Sequence, residues 1–238
     1  MKKLKQIVSQ VRELGRQPTT PQLIEMLWRL ICYPPKMPLR LHQEQLLSQA
    51  EKFTVGVHDQ YFTNGLLTVN GFKWGSGKNS ILITHGWGSK AADFAEMITA
   101  LLELEDVEII AFDAPACGSS EGELSNILLF VAAAKAVIQK FGPPYVVIGH
   151  SAGGLANVVT LNELAITPKL LISITPIILL HENFLKTMEN AGVAEHSRKA
   201  FLDSFEERYG RPHQRLTCTT YTNSARSLTT GWLMTNMI

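Results

Sequence analysis

YVVIGHSAGG, residues 145–154, is the stretch of sequence that decides the fold. An apolar run leads directly into a G-x-S-x-G pattern centred on Ser151, and residues 152–164 continue with helical spacing. A strand that turns sharply into a helix leaves little room beside the serine, and the small Gly149 and Gly153 fit that space. A Gly-rich turn without chemistry is the alternative, but the flanking strand and helix favour a nucleophilic serine at the carboxyl edge of a sheet.

Two backbone N–H groups are candidates to stabilise an oxyanion beside Ser151. One belongs to Ala152, which follows the serine at the N-terminus of the predicted helix. The other belongs to Trp87, in the glycine-rich turn HGWG that follows an earlier apolar run. We expect His85 and Gly86 to support that turn, and the alternative is that the turn has only a structural purpose.

Short apolar runs alternate with helical stretches along the middle of the chain. Four such runs are separated by stretches of helical spacing: 81–84, 107–112, 145–148 and 170–174. This alternation predicts βα units and therefore an α/β fold, with a mostly parallel sheet that helices cover on both faces. Ahead of these runs, alternating residues around 53–57 and 65–74 predict an antiparallel strand pair with a turn near Asn64.

The sequence FDAPACGSS, residues 112–120, ends the second run and should lie at the same sheet edge. Asp113 precedes the serine along the chain, so we predict a carboxylate that organises a turn and not the acid of a catalytic triad. Cys117 has no base placed for it, which favours a structural thiol. His150, next to the predicted nucleophile, should point away from it and pack on a neighbouring turn.

Composition excludes several classes of protein. The chain has 238 residues, of which 45% are apolar and 18% charged, which is ordinary for a globular domain. A net charge of +1 argues against nucleic acid as the main partner. No apolar run approaches the roughly 20 residues of a transmembrane segment. Three scattered cysteines suit a reducing compartment, so we expect a cytoplasmic protein, and the sequence indicates neither a metal site nor a cofactor.

The first 40 residues are basic, with eight Lys and Arg against two Asp and Glu. Apolar residues recur at helical spacing from Leu4 to Leu14, which predicts an amphipathic helix packed on its own domain. A helix that binds a membrane surface or a partner is the alternative. A second helix should begin at Pro21, with Thr20 as its N-cap.

These motifs, in this order, resemble the α/β-hydrolase superfamily, and more closely its small bacterial serine hydrolases. From Ser80 to about Gly210 the chain presents HGW, FDAP, GHSAGG and a Thr-Pro strand end in the family's order. The resemblance implies an eight-stranded, mostly parallel fold and the hydrolysis of a small-molecule acyl substrate, namely an ester, thioester, amide or peptide. It implies Ser151 as the nucleophile, with Trp87 and Ala152 as oxyanion donors.

The chain departs from the family's pattern at several positions. Ala116 and Cys117 replace the family's usual Gly followed by His or Gly. After the serine turn, the family has a strand ending in the triad Asp and then a turn with the triad His. From Arg208 to Ile238 there is no Asp or Glu, and no His follows His213. We therefore expect a hydrolase that is incomplete at the C-terminus, by truncation or frameshift, with impaired activity.

Other histidines are weak candidates for a replacement base: His181, His196 and His213. They fall in or beside a helical excursion after the last predicted strand, and three acids lie near them in the sequence: Glu182, Glu195 and Asp203. A triad base must come off the sheet edge beside the serine and be held by a third group, so we expect surface histidines here. The triad acid and the triad base therefore stay unassigned.

The patterns divide the chain into four parts: a helical lead-in at 1–51, a hydrolase-like core at 52–177, a cap-like helical excursion at 178–214 and an atypical tail at 215–238. A sheet that stops after its sixth strand exposes an edge, which invites self-association. The tail should pack poorly. Two other possibilities stay open. One is a non-catalytic binding module that keeps the cleft, and the other is a dimer in which the chain borrows strands from its partner.

Overall fold

A mostly parallel sheet organises the chain. The computed structural model describes residues 2–16 and 18–209. The strands in these ranges are β1 Glu51–Asp59, β2 Gly65–Gly75, β3 Asn79–Thr84, β4 Val107–Phe112, β5 Val146–His150 and β6 Leu170–Ile174. They form one sheet in the order β1-β2-β4-β3-β5-β6. All four apolar runs of the sequence are therefore strands, as predicted.

The first two strands differ from the other four in direction. β1 and β2 form an antiparallel ladder from Glu51 opposite Lys73 to Asp59 opposite Gly65, and β2 is antiparallel to β4. The strands β4, β3, β5 and β6 are parallel to one another. Asn64 lies in the turn between β1 and β2 with a φ of 52°. The predicted antiparallel pair and the predicted parallel sheet are both confirmed.

Helices surround the sheet in the described ranges: α1 Lys2–Leu14, α2 Pro21–Cys32, α3 Leu41–Ser48, α4 Ala95–Leu101, α5 Ile127–Phe141, α6 Ala152–Glu163, α7 Leu180–Asn190 and α8 Glu195–Tyr209. The predicted helix over 91–104 is shorter, because a 3-10 turn at Ala91–Phe94 precedes α4. The predicted excursion over 178–209 is two helices, because Gly192, with a φ of 81°, takes the chain out of α7.

Helix α3 is missing from the sequence-based prediction. It lacks a clear apolar stripe, since only Gln43 and Leu46 are buried. The Gln43 side chain forms polar contacts instead: its Oε1 accepts from the Arg40 N–H at 3.1 Å, and its Nε2 donates to the Asp93 carboxylate at 3.0 Å. The bond to Asp93 reaches a residue 50 positions along the chain, and hydrophobic spacing does not report such a contact.

The helices cover both faces of the sheet, as predicted. Leu82 of β3 faces the core that includes α5 and α6, whereas Ile81 and Ile83 face the core that includes α3 and α4. Successive side chains of a strand point to opposite faces, so a strand buried on both sides contributes to both cores. Burial of each such side chain contributes about 1.5–3 kcal/mol of stability.

The two N-terminal helices pack on the rest of the chain. α1 buries Ile7 and Val11, in agreement with a helix docked on its own domain. Thr20 caps α2 as predicted, because its Oγ1 accepts from the Leu23 N–H at 3.2 Å and Pro21 takes the first helical position.

α1, α2, α7 and α8 form one layer beside the carboxyl edge of the parallel strands, and we call this layer the helical roof. The Arg12 Nε of α1 donates to the Ala191 carbonyl, after α7, at 3.2 Å. The Trp28 ring of α2 lies 4.4 to 5.7 Å from three aromatic rings of α8: Phe201, Phe205 and Tyr209. The helices α1 and α2 of the predicted lead-in therefore contact the described helices of the predicted excursion, and the division of the chain into four parts stays a prediction.

The strand β6 lies at one edge of the described sheet. Among the described strands, β6 pairs only with β5. The tail 215–238, which we predict to pack poorly, lies outside the described ranges. No helix within those ranges has the length and apolarity that are needed to cross a membrane.

Candidate active site

Ser151 lies at the turn between β5 and α6 in a backbone conformation that few residues adopt. Its φ is 50° and its ψ is −116°, a strained combination for a residue with a side chain. Its N–H donates to the Ile174 carbonyl at the end of β6, 3.0 Å away. A Cβ on Gly153 would overlap the carbonyl oxygens of Thr84 and His85. The sharp strand–helix turn expected from the sequence is present at Ser151. At position 153, only glycine fits.

The turn that follows β3 packs against the Ser151 turn. β3 and β5 are adjacent parallel strands with Thr84 opposite Gly149, so both turns lie at the carboxyl edge of the sheet. A Cβ on Gly86 would lie 3.2 Å from the Ser151 Cβ and 2.8 Å from the His150 Nδ1. Gly86 therefore permits a close approach of the two turns, and His150 packs against the neighbouring turn as predicted.

Trp87 and Ala152, the predicted oxyanion donors, line the same cavity as Ser151. The Trp87 ring stacks on the Phe130 ring with centroids 5.9 Å apart. Ala152 is the first residue of α6, and the first N–H groups of a helix have no partner within the helix. That both N–H groups point at one oxyanion position beside the Ser151 hydroxyl stays a prediction.

His85 is buried with both ring nitrogens hydrogen-bonded. Its Nε2 accepts from the Ala114 N–H at 2.9 Å, so its Nδ1 carries the proton and donates to the Gly86 carbonyl at 2.7 Å. Burial lowers the pKa of this imidazole below its ordinary value of 6.5, although the Asp113 charge opposes the shift. An imidazole without a vacant nitrogen does not accept a proton from Ser151, so His85 supports the turn and is not a base.

Asp113 connects the turns that follow β3 and β4. Its buried carboxylate accepts from the Ala91 N–H at 2.8 Å. It also accepts from the N–H and the hydroxyl of Ser119, at 2.7 and 2.8 Å. Three donors from two turns meet on this one side chain, which confirms the prediction of a turn-organising carboxylate.

The two described cysteines are buried. Cys117 is 1% exposed, and burial raises the pKa of its thiol to about 12. Burial likewise raises the pKa of the Cys32 thiol to about 12, and its Sγ lies 3.8 Å from the Tyr209 hydroxyl. Thiols with such a high pKa stay protonated at neutral pH, and the thiolate is the reactive form. Burial and a protonated thiol agree with a structural role for Cys117, which stays a prediction.

Asn157 of α6 is a site residue that the sequence analysis misses. Its Oδ1 accepts from the Thr84 hydroxyl at 2.7 Å, and its Nδ2 donates to the Ile148 carbonyl at 3.2 Å. This amide therefore joins the ends of β3 and β5 to the helix that follows Ser151. The signal that could have revealed it is an amide placed between apolar residues, Ala156 and Val158, on a helix that the pattern predicts to be buried.

Ser151 borders a cavity of about 480 Å³ between the sheet edge and the helical roof. Its walls are mainly apolar and aromatic, with contributions from all four roof helices and from the start of α5. The polar side chains are mostly those ahead of α5 and along one side of α7: Ser125, Asn126, Asn183, Thr187 and Asn190. No Asp, Glu, Lys, Arg or His lines the cavity among residues 2–16 and 18–209. Such walls suit an uncharged, apolar ligand.

The proposed replacement bases do not reach this cavity in the part of the chain that the structure describes. His181 and His196 lie in the first turns of α7 and α8, and neither lines the cavity. The three acids near them in sequence are exposed: Glu182, Glu195 and Asp203. His213 lies outside the described residues. No group of three or more His, Cys, Asp or Glu within those ranges could hold a metal ion.

Sequence comparison places most of the chain in one group of proteins. The model of the alpha/beta hydrolase family matches residues 81–233, which is more than half of the chain. The matched range begins at β3 and contains both turns of the site, but it excludes α1 and α2. A comparison with curated proteins gave no match.

Several solved structures match part of this chain at low sequence identity. An epoxide hydrolase from Vigna radiata matches with a TM-score of 0.46 and 18% identity, over 54% of this chain and 39% of that chain. A haloalkane dehalogenase from Agrobacterium tumefaciens matches with a TM-score of 0.45 and 14% identity, over 54% of this chain and 42% of that chain. A thioesterase domain from the curacin biosynthetic pathway matches with a TM-score of 0.43 and 20% identity, over 54% of this chain and 45% of that chain. The matched region thus spans less than half of each of these proteins.

Proposed function

Because the chain belongs to the α/β-hydrolase family, we propose that it binds an acyl compound at Ser151 and hydrolyses it slowly. The substrate would be an ester, a thioester, an amide or a peptide. The observation that carries this proposal is the strained backbone of Ser151, at a strand–helix turn beside a largely apolar cavity. Strain of this kind persists where the surrounding structure enforces it, and it is common at catalytic sites.

In the proposed reaction, the Ser151 hydroxyl oxygen attacks the acyl carbon of the substrate. The N–H groups of Trp87 and Ala152 donate hydrogen bonds to the oxyanion that forms, and the N-terminus of α6 adds its positive dipole. Each donor of this kind contributes about 2.7–4 kcal/mol to the stability of a transition state. The bond from the acyl carbon to its alcohol, thiol or amine then breaks, and this leaving group takes up, through solvent water, the proton that the Ser151 hydroxyl gives up. A second water attacks the acyl-serine carbonyl, which releases the acid and restores the Ser151 hydroxyl.

Slow turnover is proposed because the serine needs a base to take its proton. The described walls of the cavity contain no imidazole and no carboxylate, and both nitrogens of the nearby His85 are already hydrogen-bonded. A serine without its histidine loses about 10⁴-fold or more in rate, although an oxyanion hole alone retains some catalysis.

A second candidate function is a binding module without catalysis, and the same uncharged cavity favours it. Such a protein would use the Trp87 and Ala152 N–H groups to hold a ligand carbonyl, and Ser151 would stay unmodified.

We also propose a cytoplasmic location, because the two described cysteines, Cys32 and Cys117, are unpaired thiols.

Covalent labelling by a fluorophosphonate probe separates the two functions. We expect the probe to label the wild-type protein and the Ser125→Ala variant, and not Ser151→Ala. Ser125 is a matched control because it is a second serine in the wall of the same cavity. Labelling that is absent from the wild type would favour the binding module, and labelling that persists in Ser151→Ala would contradict the proposed nucleophile.

Hydrolysis of p-nitrophenyl esters measures the turnover. We expect a slow rate that falls further in Ser151→Ala and changes little when His181, His196 and His213 are replaced together by Ala. A fast, pH-dependent rate that both variants lose would mean that one of these histidines is the base, and slow turnover would then be wrong.

A further inference from the structure

The two N-terminal helices form walls of the cavity at Ser151, although they lie outside the range that the family model matches. α1 contributes Leu4 and Val8, and α2 contributes several side chains, among them Trp28 and Ile31. The sheet edge with its two turns belongs to the matched range, so these walls are a feature of this chain that family membership does not predict.

α1 is fastened on both sides of its cavity-facing residues. Near its start, Lys3 Nζ lies 2.9 Å from the Glu123 carboxylate, in the segment that leads to α5. Near its end, the Arg12 Nε donates to the Ala191 carbonyl. These two anchors lie about 13 Å apart along the helix axis, at 1.5 Å per residue. Leu4 and Val8 lie between them, one turn apart on one face of the helix.

The cavity has the chemistry of a site for an uncharged apolar group. Its described lining contains no charged side chain. A carboxylate, an ammonium or a phosphate in it would lose its hydration without gaining an opposite charge. A group of CH₂ units, by contrast, would gain about fourfold in affinity for each CH₂ that is buried.

We propose that α1 sets the length of the uncharged apolar acyl chain that the cavity accepts, with Leu4 and Val8 as the residues that determine it. The inference rests on the proposed function in one respect only, that the ligand is an acyl compound. At about 30 Å³ per non-hydrogen atom, close to the share of a water molecule in the liquid, the cavity of about 480 Å³ has room for about 16 such atoms.

Binding of N-methyl alkanamides of 6 to 18 carbons to Ser151→Ala tests the inference without any turnover of the ligand. Trp28 and Trp87 line the cavity, so tryptophan emission reports occupancy. We expect the affinity to rise about fourfold for each added CH₂ and to stop rising once the cavity is full. Alkanoates of the same lengths should bind at least tenfold more weakly, since their carboxylate has no cationic partner.

Variants of α1 should move the length at which the affinity stops rising. We expect Val8→Phe to shorten that limit by about three or four carbons and Leu4→Ala to lengthen it by about three, in proportion to the side-chain atoms added or removed. Ser9→Phe is the matched control, because Ser9 adjoins Val8 in the chain but is exposed on the outer face of α1. Circular dichroism and thermal unfolding verify that each variant keeps its fold. If Val8→Phe does not fold, the comparison of Leu4→Ala with Ser9→Phe tests the inference by itself.

The outcomes separate this inference from the proposed function. A limit that moves in Leu4→Ala and Val8→Phe but not in Ser9→Phe supports the inference, even if Ser151 is never labelled by a fluorophosphonate. A limit that is the same in all variants overturns it, even if Ser151 is labelled. Alkanoates that bind as tightly as the amides would overturn the assignment to uncharged ligands.

Discussion

The two sides of the cavity are built in different ways. On the sheet side, backbone atoms and buried polar groups contact one another directly, as in the hydrogen bonds of His85, Asp113 and Asn157. On the roof side, side chains form most of the contacts, with Trp28 and Phe201 at its centre. The sheet side has little freedom to move, whereas aromatic side chains repack when a neighbour changes.

This difference assigns the two sides to different tasks. A nucleophile and its oxyanion donors must be held within about 0.5 Å of their working positions, which hydrogen-bonded turns on strand ends accomplish. A wall that selects a ligand by size needs only the correct volume. We therefore expect substitutions on the sheet side to affect the whole fold, and substitutions in the roof to affect local order and ligand choice.

The largest effect is expected for Gly153→Ala. Its Cβ would overlap the Thr84 and His85 carbonyl oxygens, and these belong to backbone that the sheet holds in place. We expect a loss of about 4 kcal/mol or more in the free energy of unfolding, measured in urea.

Gly154→Ala is the matched control for that substitution. Gly154 is the next residue of the same helix, and its added Cβ would lie 3.3 Å from the Pro176 Cβ, with other atoms beyond that distance. A small relaxation accommodates it, and alanine favours the helix by about 1 kcal/mol. An equal loss in both variants would contradict a rigid sheet side.

Two identical substitutions on opposite sides give the sharpest comparison. Phe201 of the roof and Phe130 of the sheet side are both fully buried, and phenylalanine to alanine in a core costs about 3–5 kcal/mol. We expect Phe130→Ala to lower global stability and the labelling of Ser151 together. Phe201→Ala should instead raise hydrogen exchange in α7 and α8 while labelling persists. Lost labelling in Phe201→Ala alone would reverse the assignment of tasks.

Acid should destabilise the sheet side through His85. Burial lowers the pKa of His85 in the folded protein below 6.5, so only the unfolded chain gains this proton as the pH falls through 6.5. The contribution of His85 to stability is therefore constant above pH 6.5 and is lost below it, by at most about 1.4 kcal/mol for each pH unit.

Unfolding in urea between pH 5 and 7 measures this loss, and His85→Gln should reduce its slope. His58→Gln is the control, because His58 is exposed on β1. Equal slopes in the wild type and in His85→Gln would show that His85 does not carry the acid sensitivity.

The smallest effect is expected at the N-terminus of α2 in the roof. Thr20→Ala removes the hydroxyl that accepts from the Leu23 N–H and should cost about 1 kcal/mol. Thr20→Ser keeps the hydroxyl and should restore most of that loss in thermal unfolding. No difference between the two variants would mean that the roof packing, and not the cap, holds this end of α2.

Ser151, its neighbouring glycines and the strands that lead to both turns were predictable from the sequence. A strand alternates its side chains and a helix repeats them every 3.6 residues, so local spacing is enough to identify such elements. The tight turn at Ser151 is also visible in the sequence, because position 153 must be a glycine. For the same reason the Thr20 cap was foreseen, since it depends on residues within a few positions along the chain. Asp113 was foreseen as a turn organiser from its place at a strand end, but its bond from the Ala91 N–H, 22 residues away, was not.

Only the tertiary structure decided what surrounds Ser151. α3, Asn157 and the roof that joins α1 to the turn after α7 depend on contacts between residues far apart in the chain, such as Arg12 with Ala191. A periodic pattern shows which face of a helix is apolar but not which surface it will cover. The sequence alone therefore determined where the candidate nucleophile lies, and tertiary packing decided the shape and the uncharged character of the cavity beside it.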